Sequence, residues 1–482
     1  LIQIIDSNDP KQHWRQTSMA KLRGAGVRLW IGLGVLQGFI VLPLQARAAD
    51  ELEALRQQMR VLADKMERLE RERSATAAAP QTATPANAVQ AGDLPGSFKI
   101  PGTNTSVKLG GFIAVEAVKE LNGGGMFGNI TSNLNTVPIE GSAQSSRSGQ
   151  LTLSARRSRL QLLTLTRGTA LGDVSGLVEA DFVGAGGTEY STNSSGLRLR
   201  LAYAKVGGWT FGQAYSTFGD FAAVPPVIDF NGGFGLPGAP RQALVRYETK
   251  TGPHEWAWSV ENPEGDFAGA TSGTLTAGGV GPLSTTALDK VPDVLGKYAY
   301  NGDRVRVAVA GVVRRLTLNN TGQAAINGFV GEASTTAGAL AVQARVKTFG
   351  ADALMLSVFG GPGVGRYGLN TAFTPNFQGT AAVVIGGKLE AVDQRGLNVG
   401  YLRYWTPEIR STLSYGRVTA DNPHPALPLN VLSKMESLYA NVVWMPSKEY
   451  MFGAEWMRAR VQNDVPAKGE TDRLHLYGQY SF

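Results

Sequence analysis

From residue 96 to the C-terminus, apolar and polar residues alternate with a period of two. In the opening stretch Val107, Leu109, Gly111, Ile113 and Val115 share one face. Lys108, Gly110, Ala114 and Glu116 share the other, with Phe112 out of pattern. This period sends successive side chains to opposite faces of a strand. Similar segments recur near 151–166, 172–184, 196–207, 209–216, 241–250, 254–262, 293–301, 304–317, 338–348, 351–359, 381–391, 396–405, 409–419, 434–445, 449–461 and 472–482. With the opening strand they make seventeen candidates. Bacterial barrels that cross a membrane have an even number of strands. The weakest break is Asp393-Gln394-Arg395-Gly396, so 381–391 and 396–405 are joined into one long strand. The pattern predicts an all-β fold, a transmembrane antiparallel β-barrel of about 16 strands.

Connections alternate between short and long, as such a barrel requires. Val206-Gly207-Gly208, Asn301-Gly302-Asp303, Thr406-Pro407-Glu408 and Pro446-Ser447-Lys448 read as short turns on the periplasmic side. Gly/Asn/Ser-rich stretches 121–149, 263–291, 318–336 and 360–380 read as outer loops. Trp209, Trp405 and Trp444 sit beside short turns, where an aromatic girdle is expected. Leu474, Leu476, Tyr480 and Phe482 share one face of the last strand. An aromatic final residue on such a strand is the signal by which barrel assembly machinery is expected to take the chain, here through Phe482.

The N-terminal region follows other periods. Leu52, Leu55, Met59, Leu62, Met66 and Leu69 alternate spacings of three and four, a heptad seam between charged positions. Residues 49–73 are therefore expected to form a short periplasmic coiled coil, which is marginal as an isolated helix. A single amphipathic helix lying on its own protein is the alternative. The Ala/Thr/Pro-rich stretch 74–95 reads as a flexible linker. Met19, Lys21, Arg23 and Arg28, the apolar run from Leu29 to Leu44 and Ala46-Arg47-Ala48 read as a signal peptide over 19–48. Residues 1–18 read as sequence upstream of a start at Met19. The barrel proper is expected over 96–482.

Composition narrows the chemistry. Glycine is 60 of 482 residues, and cysteine is absent, which removes disulfides, thiolate metal sites and thiol nucleophiles. No stretch after residue 49 holds ten consecutive apolar residues, which excludes helical membrane spans there. Residues 96–482 carry 34 basic and 29 acidic side chains, too balanced and dispersed for a nucleic-acid footprint. After the signal only His254, His424 and His475 remain, in separate segments. No catalytic cluster, metal site or cofactor is expected, and GGPGVGR at 360–366 lacks the Lys-Ser/Thr of a phosphate loop.

If apolar faces meet lipid, the opposite faces line the lumen. Leu197, Leu199, Leu201 and Tyr203 outward put Arg198 and Arg200 inward. Leu160 and Leu162 outward put Arg157 and Arg159 inward, although Leu163 and Leu165 share the arginines' parity. The same rule sends Lys108, Arg246, Lys297, Arg306, Arg314 and Arg345 inward, with Glu116, Glu179, Asp181, Glu248 and Glu455. Lys388 and Glu390 cancel, and Arg403 can be assigned to either face. The lumen is thus expected to be positive, with an arginine ladder on one wall. Its rungs would offer a passing carboxylate successive charge-assisted contacts. Pairing of these arginines with Glu179, Asp181 and Glu248 is the competing expectation. Loop 216–240, with Phe221, Phe230 and Phe234, is expected to fold inward and narrow the lumen.

Several segments resemble the DcaP-like trimeric porins of Gram-negative outer membranes. They are GSFKIPGTNTSVKLGGF at 96–112, SARRSRLQL at 154–162, LRLRLAYAKVGGWTFGQAYSTFGD at 197–220, VPPVIDFNG at 224–232 and GVGRYGLN at 363–370. The resemblance implies a homotrimer of 16-stranded channels in the outer membrane that pass small anions, notably dicarboxylates. Arg157, Arg159, Arg198, Arg200, Arg246, Lys297, Arg314 and Arg345 are the candidate pore-lining residues. A general diffusion porin, or a mainly structural envelope protein, would fit the same strand pattern.

Overall fold

The computed structural model describes residues 57–71, 89–123, 137–184, 189–265, 287–323, 325–368, 381–423, 432–465 and 467–482. The expected signal peptide and the stretch before it lie outside the described residues, as does His424. Residues 57–71 form a helix, α1. Its Met59, Leu62, Met66 and Leu69 line an exposed seam, beside an Arg71–Glu67 ion pair one turn apart.

From Val89 the chain is almost entirely strand. Two short strands, β1 (Gln90–Ala91) and β2 (Phe98–Lys99), precede β3 (Thr105–Asn122), β4 (Leu151–Ser154) and β5 (Arg159–Thr169). Next come β6 (Gly172–Gly184), the short helix α2 (Glu189–Thr192), β7 (Gly196–Val206), β8 (Trp209–Tyr215), β9 (Arg241–Thr251) and β10 (His254–Glu261). The third group is β11 (Asp293–Asn301), β12 (Val305–Asn319), β13 (Glu332–Lys347) and β14 (Ala353–Pro362). The last is β15 (Ala382–Ile385), β16 (Lys388–Ala391), β17 (Asp393–Tyr404), β18 (Ile409–Asp421), β19 (Leu432–Trp444), β20 (Tyr450–Asn463) and β21 (Lys468–Ser481). Antiparallel ladders join β3 to β5 and on to β14, then β17 to β21, and β21 returns to β3. The result is a closed barrel of 16 strands, and closure leaves no long edge unpaired.

The count is as expected, but its derivation needs correcting. Residues 381–391 are not half of a long strand. They form the separate β15–β16 hairpin, turned at Gly386 and Gly387. Its apolar face packs with Leu316, Leu318, Ile326 and Ala337 above β12 and β13, so the alternation is satisfied off the wall. Two loops are shorter than expected, because β13 begins at Glu332 and β14 runs to Pro362. The expected linker is structured at its end, since Gln90–Ala91 pairs with Phe98–Lys99.

Outward positions are apolar and exposed, as a lipid-facing wall demands: Leu109, Ile113, Val115, Leu197, Leu199, Leu413 and Leu476 are among them. Aromatics cluster outward at the turn side. Trp209 packs on Tyr247, Trp256 on Tyr298 and Trp444 on Phe452, and Tyr480 lies between Tyr450 and Phe482. Two outward assignments, Leu201 and Tyr203, fail. Ala180 pairs with Leu199 but Glu179 pairs with Leu201, so β7 carries an extra residue at Arg200. This bulge inverts the parity beyond it. Leu201 is buried, and Tyr203 joins the face of Lys205, whose ammonium reaches Glu248.

Candidate functional site

The lumen is crossed by the connection between β8 and β9, residues 216–240, as the sequence predicts. Phe218, Ile228, Phe234 and Leu236 in it are at most 1% exposed, so this loop builds the interior core. The Asp220 carboxylate accepts from Arg306 Nε at 2.8 Å, and its backbone N–H donates to Gln343 at 2.6 Å. On the opposite wall Glu455 accepts from the N–H groups of Ile228 and Asp229 at 2.7 and 2.8 Å, and from Asn441 at 2.9 Å. Asn398 donates to the Phe234 carbonyl at 2.7 Å. Glycines make this docking close. A Cβ on Gly416 would stand 1.9 Å from the Phe234 carbonyl oxygen, and one on Gly400 would stand 2.4 Å from Pro225.

A second loop segment, 363–368, also descends into the lumen. The buried Tyr367 packs edge-on against Phe218 and donates to Asp293 at 2.9 Å. Burial, then the carboxylates of Asp293 and Glu261, push the Tyr367 phenol above its ordinary value, so it stays a donor. Arg314 completes the knot, pairing with Asp293 at 3.2 Å and donating to the Gly363 carbonyl at 3.0 Å. Its side chain is 0% exposed. Arg314 therefore ties down this loop and does not line the channel, a correction to the expectation.

Four of the remaining expected arginines, Arg157, Arg159, Arg198 and Arg200, do converge, and they are paired. Cross-strand register places Arg159 and Arg198 on either side of Asp181. Arg198 grips Asp181 with two bonds at 3.0 and 2.8 Å. Arg200 bridges Glu179 at 2.6 Å and Asp181 at 2.9 Å, and donates to Tyr215. Arg159 lies 3.4 Å from Glu179, with the Phe112 ring 5.1 Å away. Arg157 meets Glu116 at 3.2 Å and the Ile228 carbonyl at 2.5 Å. The expectation of a bare ladder is thus replaced by an interleaved cluster of four arginines and three carboxylates. Glu116 also meets His475 at 2.9 Å.

Phe230, from the inward loop, lies under three of these guanidiniums, 5.6, 5.5 and 5.1 Å from Arg157, Arg198 and Arg200. Cations over a ring face are attracted to it, more so when desolvated. The cluster is also asymmetric in what it presents. The Arg198 side chain keeps 31% of its exposure while that of Asp181 keeps 0%.

Towards the turns the lumen wall carries Arg246, 3.3 Å from Glu248, and Lys297, 3.4 Å from the Gly219 carbonyl. Arg306 pairs with Asp220 and Glu255 at 2.8 Å each. Arg345 lies on the same face, cross-strand from Arg306. Among the described residues no group of three His, Asp or Glu side chains is placed to hold a metal ion.

The family model for the DcaP outer membrane protein matches residues 50–254, from the helical segment through the wall that bears the arginine cluster. The crystal structure of the outer membrane channel DcaP of Acinetobacter baumannii superposes with a TM-score of 0.64 at 22% identity. That match covers 79% of this chain and 98% of that one. Over residues 50–254 the chain is similar to the DcaP outer membrane proteins, and its barrel has the fold of that channel. An anion-selective porin from Comamonas acidovorans is 11% identical, with a TM-score of 0.48 over 78% of this chain and 100% of that one. The OmpF complex with daunomycin from Salmonella typhi is 12% identical, with a TM-score of 0.49 over 80% and 99%. No curated protein matches by sequence.

Arg410 and Arg241 are among the lumen arginines missing from the expected set. Arg410 on β18 is 7% exposed and points inward, which its parity, opposite to that of the outward Leu413 and Tyr415, already implies. Arg241 opens β9 beside Tyr215. No alternation signals it, because it belongs to the turn of the chain out of the inward loop. The motif VPPVIDFNG and residues 363–368 of the motif GVGRYGLN, distant in sequence, both enter the lumen.

Proposed function

We propose that this porin passes small anionic solutes, dicarboxylates among them, passively through its lumen, as a homotrimer whose N-terminal helix forms a coiled coil in the periplasm. The observation that carries the reading is the unequal exposure within the arginine cluster. Arg198 faces the channel while its counter-ion Asp181, and Glu179 that pairs with Arg200, are covered, at 0% and 3% side-chain exposure. A solute therefore meets guanidinium N–H groups and not carboxylate oxygens, although the formal charges nearly balance. Guanidinium forks suit carboxylates, and several moderate contacts let the ligand leave.

The trimer has its own support. Outward turn-end positions on β5, β6 and β7 are Thr164, Thr166, Val174, Gly176, Ala204 and Val206, without the aromatics found on the remaining wall. A neighbouring barrel suits such a surface better than lipid headgroups do. The exposed apolar seam of α1 fits the same assembly, and the outward Phe482 fits recognition by barrel assembly machinery.

Reversal potential in a planar bilayer under a potassium chloride gradient tests the reading. A potential on the chloride side is expected, and one on the potassium side would overturn it. A general diffusion porin is the second reading, favoured by the ion pairing of the arginines, and would give a potential near zero.

A further inference from the structure

We infer that Arg345 and Arg410 form a second anion-binding station, on the turn side of the inward loop, suited to a small dicarboxylate. The inference deepens the anion-porin reading and rests on it. Arg345 and Arg306 are direct cross-strand neighbours, a like-charge pair that destabilises a sheet unless it is compensated. Asp220 and Glu255 compensate Arg306. Among the described residues no carboxylate or other acceptor meets Arg345, and its buried Nε has no partner.

Arg410 repeats the situation three strands away. It is 7% exposed, its Nε is likewise unpartnered, its cross-strand partner is Tyr404, and among the described residues no carboxylate pairs with it. The ladders β13–β14, β14–β17 and β17–β18 put both on one stretch of the lumen wall. Between them β14 and β17 contribute an apolar floor of Ala353, Met355 and Leu402, against which Tyr404 packs. The inward loop closes the side towards the outer loops. Its turn Phe221–Ala223 packs on β13 and β14, and Pro225 rests against Gly400.

A guanidinium with an orphaned buried N–H costs stability, and this stretch of the wall carries two. Every other expected lumen arginine is provided with a carboxylate by the chain itself. Here the counter-ion has to come from outside. Each guanidinium offers parallel N–H donors to one carboxylate, so a solute with two carboxylates can engage both arginines over the apolar floor. A dianion that has passed the Phe230 cluster would find its next contact here.

The test is block of chloride current through the purified full chain in planar bilayers, with succinate added to both chambers. Wild-type current is expected to fall with succinate. Arg345→Gln and Arg410→Gln should each raise the half-blocking concentration about tenfold or more, the loss of one charge-assisted contact. The double variant should lose block. Block unchanged in both single variants, in an anion-selective wild-type channel, overturns the station and leaves the anion-porin reading standing. A wild-type channel that is neither anion-selective nor blocked overturns both. Arg345 is the less buried residue, so R345Q decides the matter should R410Q not assemble, as judged by heat-shift on gels.

Discussion

Asp181→Asn and Arg198→Gln remove opposite charges from one contact, and their effects on selectivity should have opposite signs. Asp181 accepts two bonds from Arg198 and one from Arg200, all within 3.0 Å. Asparagine keeps one acceptor oxygen in place and loses the charge, so the exposed Arg198 faces the channel without its counter-ion. A unit charge about 5 Å from a permeating ion is worth about 0.8 kcal/mol in water. At 0.1 M salt, with a screening length of about 10 Å, roughly 0.5 kcal/mol remains. That enriches anions and depletes cations by about 2.3-fold each, and the chloride-to-potassium permeability ratio should rise about fivefold. Arg198→Gln should lower the ratio by about the same factor. Reversal potentials of the two variants measure this directly. An unchanged potential in Asp181→Asn, or shifts of the same sign in both variants, would refute the claim that guanidinium faces and not carboxylates meet the permeating ions.

Three further outcomes follow from the inward loop and the helix. Gly416→Ala should destabilise the folded barrel by about 1–3 kcal/mol through overpacking against Phe234. The matched Gly296→Ala, whose nearest new contact is Trp258 at 3.9 Å, should be neutral, and the midpoint of heat-induced gel shift compares the two. Glu455→Gln removes the charge that holds the Ile228 and Asp229 N–H groups. Excursions of the loop should become about tenfold more populated, read as excess open-channel current noise; noise equal to wild type would rule out Glu455 as the tether. Deletion of 50–73 should leave trimers intact on native gels, because a seam of about three heptads is weak beside a barrel–barrel contact. Monomers would assign assembly to the helix.

Much of the wall is legible from alternation alone, because a strand that faces lipid on one side and a lumen on the other has no alternative pattern. The failures have specific causes. Ala382–Ile385 alternates like a wall strand, but period two does not say what the apolar face packs against, and here it is the top of β12 and β13. Leu201 and Tyr203 are misassigned by one bulged residue that leaves no mark in the pattern. The charged partners of the arginines were visible as residue types, but their pairing depends on register. Only the alignment of β5, β6 and β7 brings Arg159, Asp181 and Arg198 side by side. Arg314 has the right parity and the wrong surroundings, since a loop more than forty residues downstream covers it.

The two ends of the barrel chain meet on one strand. The ladder between β21 and β3 reaches only Phe112, and the Phe482 N–H donates to the Gly111 carbonyl at 3.2 Å. The β3 edge below that point is not vacant: β2 pairs there at Ser106 and Val107. The hairpin that begins the barrel thus acts as an end-stop for the strand that completes it. A closing strand that slid two residues further along β3 would keep its faces correctly oriented, and so alternation alone cannot forbid the slip. The β2 pairing at Ser106 and Val107 bounds how far such a slip can run, and so bounds the stagger from which the tilt and bore of the cylinder follow.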